Sequence, residues 1–289
     1  MKKLVSAVLA VLMGMTLIAP VALADGKDNS RVVFGHDLTD KQKTDLEKFF
    51  GAPDDVKELE VTIDEEKAWL GNLIPAEKIG KRSLSSIYIQ STDEGSGLDV
   101  ETKNINWVTP EMYMAVLTTA GIVDADIKIA APVAVSGTAA LAGVFKAYED
   151  ITGVTLSRDA KQIAADELAL TGMLADYLGT KDATELVNEL KSMQDQLKGK
   201  SKDEIRDIVV QTAKDHNISL TDGQIDQLVN LVKRLSELNI DPALFAQQAK
   251  QLQAITDKLG GVAKATTDLG SWFTKAWEDF TKWLKGIFG

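Results

Sequence analysis

Apolar and polar positions alternate along the first half of the chain, then recur every three or four residues along the second. That change of period predicts a mixed α and β part followed by helices alone. Arg31-Val32-Val33-Phe34-Gly35 reads as a short strand and Leu59-Glu60-Val61-Thr62 as another. Between them Thr39 and Gln42 form a capping box that opens a helix to Phe50. Thr62 and Glu65 repeat the device ahead of a helix carrying Trp69. Ser85-Ser86-Ile87-Tyr88-Ile89-Gln90 and Leu98-Asp99-Val100-Glu101 are strand-like, and Asp93-Glu94-Gly95-Ser96-Gly97 between them predicts a hairpin loop. Thr109-Pro110-Glu111 combines a cap, a proline in the first turn and an acid against the helix dipole. The helix it starts stops at Gly121. A last strand, Ile127 to Pro132, leads through Ser136-Gly137-Thr138 into a small-residue helix ending near Gly153.

From Ser157 onward the strand signals vanish. Ile163, Leu170, Met173, Leu174 and Tyr177 mark a helix closed by Gly179, and Leu186, Val187, Leu190, Met193 and Leu197 mark one closed by Gly199. Ser201 with Glu204 caps a third, Thr221 with Gln224 a fourth, and Asp241-Pro242 starts a fifth that ends at Gly260-Gly261. Short connections between such helices favour antiparallel neighbours. The predicted fold class is α+β. It comprises a mixed α/β-sheet domain over 25–155, an all-α domain over 156–260 and a glycine-flanked amphipathic segment over 261–289.

That last segment has the sharpest pattern in the chain. Trp272, Trp277 and Trp283 are three of the five tryptophans, and Phe273, Phe280 and Phe288 stand among them. At ~100° per residue these six, with Ala276, Leu284 and Ile287, fall within an arc of roughly 160°. Lys275, Glu278, Asp279, Lys282 and Lys285 lie on the other side. Six aromatic side chains make a face on the order of 1,000 Å², against the few hundred that a soluble monomer exposes in one patch. Such a face needs a cover: the protein's own body, a membrane interface or another chain. Trp and Phe opposite Lys suit an interfacial helix, whereas the acidic charge of the whole opposes anionic lipid.

At the other end, Lys2 and Lys3 precede an uncharged apolar run from Leu4 to Ala19, and Ala22-Leu23-Ala24 follows Pro20. A charged start, an apolar centre and small residues at −3 and −1 describe a secretory signal peptide over 1–24, cleaved after Ala24. Its loss would take two lysines and move the formal charge from −11 to −13. The acidic balance argues against nucleic acid as a partner, since phosphate backbones select basic surfaces. With no Cys there is no disulfide frame and no thiolate metal site. With two His, most Ser-His and metallohydrolase schemes lack parts. No catalytic residue, metal or cofactor is implied.

Four short stretches are candidates for chemistry. Ser136-Gly137-Thr138 lies between a strand and a helix start, where backbone N–H groups and the helix dipole can hold a phosphate or carboxylate. Asn104 and Asn106 are candidate neighbours of that turn. The flanks of Ser136 do not form the strained elbow of a nucleophilic serine, and a packed strand-to-helix turn also explains the motif. Gly80-Lys81-Arg82-Ser83 is a faint phosphate loop, but the position five before Gly80 is Pro75 rather than Gly. Asp215 to Thr221 places oxygen side chains like a calcium loop, but Leu220 stands where a sharp turn needs Gly. Asp64, Glu65 and Glu66 suggest paired carboxylates for acid–base work, but the charged first turn of a helix explains them better.

The chain resembles the exported Gram-positive proteins grouped as domain of unknown function 1002. The resemblance rests on Ile79-Gly80 with Ser83-Leu84-Ser85-Ser86-Ile87-Tyr88, and on Gly97-Leu98-Asp99-Val100 with Asn104-Ile105-Asn106-Trp107-Val108-Thr109. Thr118-Thr119-Ala120-Gly121-Ile122 and Ala131-Pro132-Val133-Ala134-Val135-Ser136-Gly137-Thr138-Ala139-Ala140-Leu141 complete it. It implies an exported α+β protein and carries over no catalytic residue. The resulting expectation is a secreted, non-enzymatic binding or interaction protein of the cell envelope. Its contact element is Trp272, Phe273, Trp277, Phe280, Trp283, Leu284, Ile287 and Phe288, meeting an envelope protein or a membrane surface. The alternative is an extracytoplasmic enzyme or small-anion binder at Ser136, Gly137 and Thr138 with Asn104 and Asn106.

Overall fold

Two parallel strand pairs, each with its own crossover helix, are joined by one antiparallel strand. The computed structural model describes residues 29–238. The signal segment 1–24, the helix expected from Asp241 and the aromatic segment 261–289 lie outside the described residues. β1 (Ser30–Gly35) and β2 (Lys57–Val61) run parallel, with α1 (Asp40–Phe50) between them. α2 (Ile63–Leu70) and the single turn α3 (Ala76–Ile79) lead to β3 (Ser86–Ser91). β4 (Leu98–Ile105) and β5 (Ala125–Val135) are again parallel, with α4 (Pro110–Ala120) as crossover. β3 pairs antiparallel with both β1 and β5, so the sheet runs β2-β1-β3-β5-β4.

The period-two pattern divides the sheet into two faces. Val33, Ile87 and Ile129 are opposite one another across β1, β3 and β5 and point to one side. There they meet α4 and α5 (Thr138–Thr152). Val32, Phe34, Tyr88 and Ala130 point to the other side, against Leu46 and Phe50 of α1.

The hairpin expected around Asp93–Gly97 does not form. β5 lies between β3 and β4, and both pair with it. The connection instead passes over the start of β5 and is tied to Asp124. The N–H of Thr92 donates to the Asp124 carbonyl (3.3 Å), and the N–H of Gly97 donates to its carboxylate (2.7 Å).

α6 (Arg158–Leu178) faces both halves of the molecule. Ala164, Ala165, Leu168 and Ala169 pack into the sheet-side core, and Ile163, Leu170 and Leu174 into a second, purely helical one. α7 (Thr180–Ser192), the short α8 (Gln194–Leu197), α9 (Lys202–Asp215) and α10 (Asp222–Glu237) complete that second core. The expected helix to Leu197 breaks at Met193, where no Gly or Pro marks the interruption. Reciprocal capping boxes form at Thr39/Gln42, Thr62/Glu65, Ser201/Glu204 and Thr221/Gln224.

Candidate functional site

β3 and β5 are antiparallel neighbours, so the residues before β3 and those after β5 emerge at one end of the sheet. The loop that follows α3, beginning at Gly80, therefore comes to face the turn Val135–Thr138. Between them is a cleft of about 240 Å³, lined by Glu66, Lys81, Arg82, Ser136, Gly137 and Thr138 among others. That volume is below the ~300 Å³ at which sites for drug-sized ligands begin, so the cleft suits a small molecule.

Thr138 opens α5 and donates its hydroxyl to Glu66 Oε1 at 2.5 Å. A hydroxyl carries one proton, so Ser136 Oγ, 3.0 Å from Thr138 Oγ1, is the donor in that second bond. Glu66 is 1% exposed, and its Oε2 has no hydrogen-bond partner among the described residues. Burial of the carboxyl pushes its pKa up to about 7. Tyr113 of α4 donates to the Gly137 carbonyl at 2.5 Å, and burial followed by the charge of Glu66 pushes its phenol up.

Gly137 has φ 96°, and a Cβ there would lie 2.5 Å from the Tyr113 hydroxyl and 2.6 Å from Ile105 Cγ2. The turn therefore demands glycine on two counts. As N-cap of α5, Gly137 supplies no side-chain acceptor. Ser85 Oγ accepts from the N–H of Ala140 instead (3.1 Å), while the N–H groups of Thr138 and Ala139 have no acceptor among the described residues.

Residues 34–252 match the family model described as a protein of unknown function, DUF1002. The chain belongs to this family. It is 38% identical over 263 residues to the "Uncharacterized protein YpuA" of Bacillus subtilis (strain 168), covering 90% of this chain and 89% of that protein. No solved structure matches the chain.

The DUF1002 match contains both sides of the cleft. Of the residues singled out in the sequence, Ser136, Gly137 and Thr138 line it together. Asn104 and Asn106 do not. Asn104 sits at a register shift in β4 with φ 59° and donates its amide to the Ala131 carbonyl (2.8 Å). The Asn106 N–H donates to the Val135 carbonyl (2.9 Å). The Asn104 side chain and the Asn106 backbone thus belong to the edge that positions the turn. Trp272, Phe273, Trp277, Phe280, Trp283, Leu284, Ile287 and Phe288 lie outside the described residues.

Tyr113 carries no signal in the sequence, and Glu66 is visible there only as one acid of three in a first helical turn. What sets Glu66 apart from the other two is its place one step beyond Glu65. Glu65 turns back to the cap at Thr62, and the next residue, some 100° around the helix, faces inward. His36 pairs with Glu60 and His216 with Glu189, and neither lines the cleft. Among the described residues no group of three or more His, Asp or Glu is placed to hold a metal ion.

Proposed function

We propose that this DUF1002 protein is an exported binding protein of the cell envelope, and that the cleft beside Ser136 and Thr138 holds a small ligand rather than transforming it. The observation that carries the reading is the convergence of two sequence-distant polar turns on one buried carboxyl with an unused oxygen. A reaction at Ser136 would need a base, and the partner of that hydroxyl is another hydroxyl. Export rests on the charged start, apolar run and small-residue site of residues 1–24. The one-sided aromatic face from Trp272 to Phe288 supports contact with an envelope protein or a membrane surface.

The test is purification from native cells with fractionation, followed by native mass spectrometry. A small molecule is expected on the protein and absent from the Ser136→Ala, Thr138→Ala double variant. Deletion of 268–289 is expected to release the protein from its envelope fraction without emptying the cleft. Protein found only in the cytosol, or bound mass indifferent to the double variant, would sink this reading.

A further inference from the structure

Apart from Glu66 and Glu77, the charged side chains that line the cleft are the cations Lys78, Lys81 and Arg82. The N–H groups of Thr138 and Ala139 open α5, a helix of 15 residues, whose dipole places partial positive charge there. Lys81 and Arg82 line the opposite wall, are exposed, and form no ion pair among the described residues. A helix N-terminus beside two cations selects an anion. Glu66 stands against that expectation. Glu66 lines the same small cleft with Oε2 buried and unpartnered, and as a carboxylate it would repel an anion unless a proton lies between them.

We propose, resting on the reading of the cleft as a ligand site, that it binds a phosphate-type oxyanion with one proton shared between Glu66 Oε2 and an anion oxygen. The proton balance holds in either protonation state. Protonated Glu66 donates to the anion. Ionised Glu66 accepts from the P–OH of hydrogen phosphate. Thr138 keeps donating to Oε1 throughout, which leaves Oε2 as the oxygen that carries or receives the shared proton.

Burial holds the Glu66 carboxyl near pH 7, where both forms are accessible. The charges around it are few. Lys67 follows on its own helix, and Tyr113 faces it from α4. Glu77, Lys78, Lys81 and Arg82 line the cleft from α3 and the loop beyond, with Lys78 engaged by Asp176 at 2.9 Å. From the packed helices α5 and α6, Lys146 is paired with Glu65 and Lys161 with Glu149, and neither lines the cleft. A phosphate group on a small metabolite and free phosphate share this chemistry.

The deciding contrast is phosphate against sulfate, which is the same size and carries no proton near neutrality. Calorimetry on the natively purified protein at about pH 5.5 and about pH 8 is expected to show inorganic phosphate binding at both. Sulfate should bind at the lower pH and at least about tenfold more weakly at the higher, one pH unit being about tenfold in proton occupancy. Glu66→Gln should bind sulfate equally at both. The exposed Lys81→Ala, Arg82→Ala pair, which leaves the core intact, should weaken both anions about tenfold or more. A small phosphomonoester such as glycerol 3-phosphate binding more tightly than phosphate would identify the phosphate as a substituent.

Absent phosphate binding, or phosphate and sulfate behaving alike at both pH values, overturns the proposal. If native mass spectrometry still shows a ligand that the Ser136→Ala, Thr138→Ala variant loses, only the anion assignment fails. If that ligand is missing too, the cleft reading fails with it.

Discussion

Lys191 Nζ lies 3.0 Å from Glu167 Oε1 with both side chains buried, fastening α7 to α6 beneath α4. Thr119 of α4 donates to Glu167 Oε2 at 2.5 Å, and Lys191 also donates to the Ala115 carbonyl at 2.5 Å. Burial pushes the Lys191 ammonium down, and the Glu167 carboxylate opposes that shift. An ion pair taken so fully out of water is held by its hydrogen bonds as much as by its charges. Here those bonds come from three different helices, so the pair registers α4, α6 and α7 on one another.

Removing one partner therefore strands the other. Lys191→Met is expected to cost about 3–5 kcal/mol, the usual penalty for an uncompensated buried charge. Adding Glu167→Leu to it should recover most of that loss. Urea midpoints of the two single variants and the double variant check this, and additive losses would show that the two residues act independently.

Glu66 makes the stability of the fold depend on pH. Its folded pKa of about 7 is above the ordinary glutamate value of 4.5. The folded state then holds the proton more tightly than the unfolded chain, so its contribution to stability is fully present below about pH 4.5. It is lost as pH rises through about 7. A shift of that size corresponds to about 3 kcal/mol at most. Glu66→Gln should remove the slope, making the variant the more stable protein above pH 7 and leaving little difference near pH 4.5. Thermal midpoints measured across that range in phosphate-free buffer would show it.

The local chemistry of the fold was written plainly in the sequence, while its long-range pairing was not. Thr39, Thr62, Thr109, Ser201 and Thr221 all cap the helices assigned to them, because a cap is decided within four residues. The strands on either side of Asp93–Gly97 were equally visible, but nothing in their alternation reports that β5 inserts between them. The site shows the same limit. Ser136-Gly137-Thr138 and Gly80-Lys81-Arg82 were each visible as weak motifs, and only the β3–β5 pairing brings them together. Glu66 looked like the third acid of a first helical turn until α5 closed over it. The second helix of the bundle breaks at Met193, where no glycine or proline stands.

Gly172 is held to glycine by an aromatic ring rather than by its backbone. A Cβ on this α6 residue would run into the Trp107 indole, with Cη2 at 2.6 Å and Cε2 at 2.9 Å. Trp107 is itself fixed, since its Nε1 donates to Asp176 (3.2 Å) and Lys78 Nζ lies 5.0 Å from its ring centroid. Gly172→Ala gains up to about 1 kcal/mol of helix propensity but overpacks a site worth about 1–3 kcal/mol. A net loss of about 1–2 kcal/mol is expected, with a changed near-ultraviolet tryptophan spectrum. The paired variant Gly172→Ala, Trp107→Phe should lose less than the two single changes summed.

His216 caps the C-terminus of α9 and bonds to Glu189 of α7. The hydrogen bond to Glu189 comes first in pushing its pKa up, with partial burial opposing and the charges of Glu189, Glu185 and Asp182 adding to the rise. A raised histidine stabilises the folded state most below its unfolded value of about 6.5, and that contribution is lost as pH rises through the folded value. A protonated imidazole at a helix C-terminus contributes about 1 kcal/mol. The α9–α10 connection should therefore loosen as pH rises through the folded value. Amide exchange at Ala213, Asn217 and Ile218 is expected to quicken between about pH 6 and about pH 8 beyond the intrinsic rate. His216→Asn should show the looser behaviour at every pH. Exchange in the native protein that tracked the intrinsic rate across the whole range would rule the histidine out as the latch.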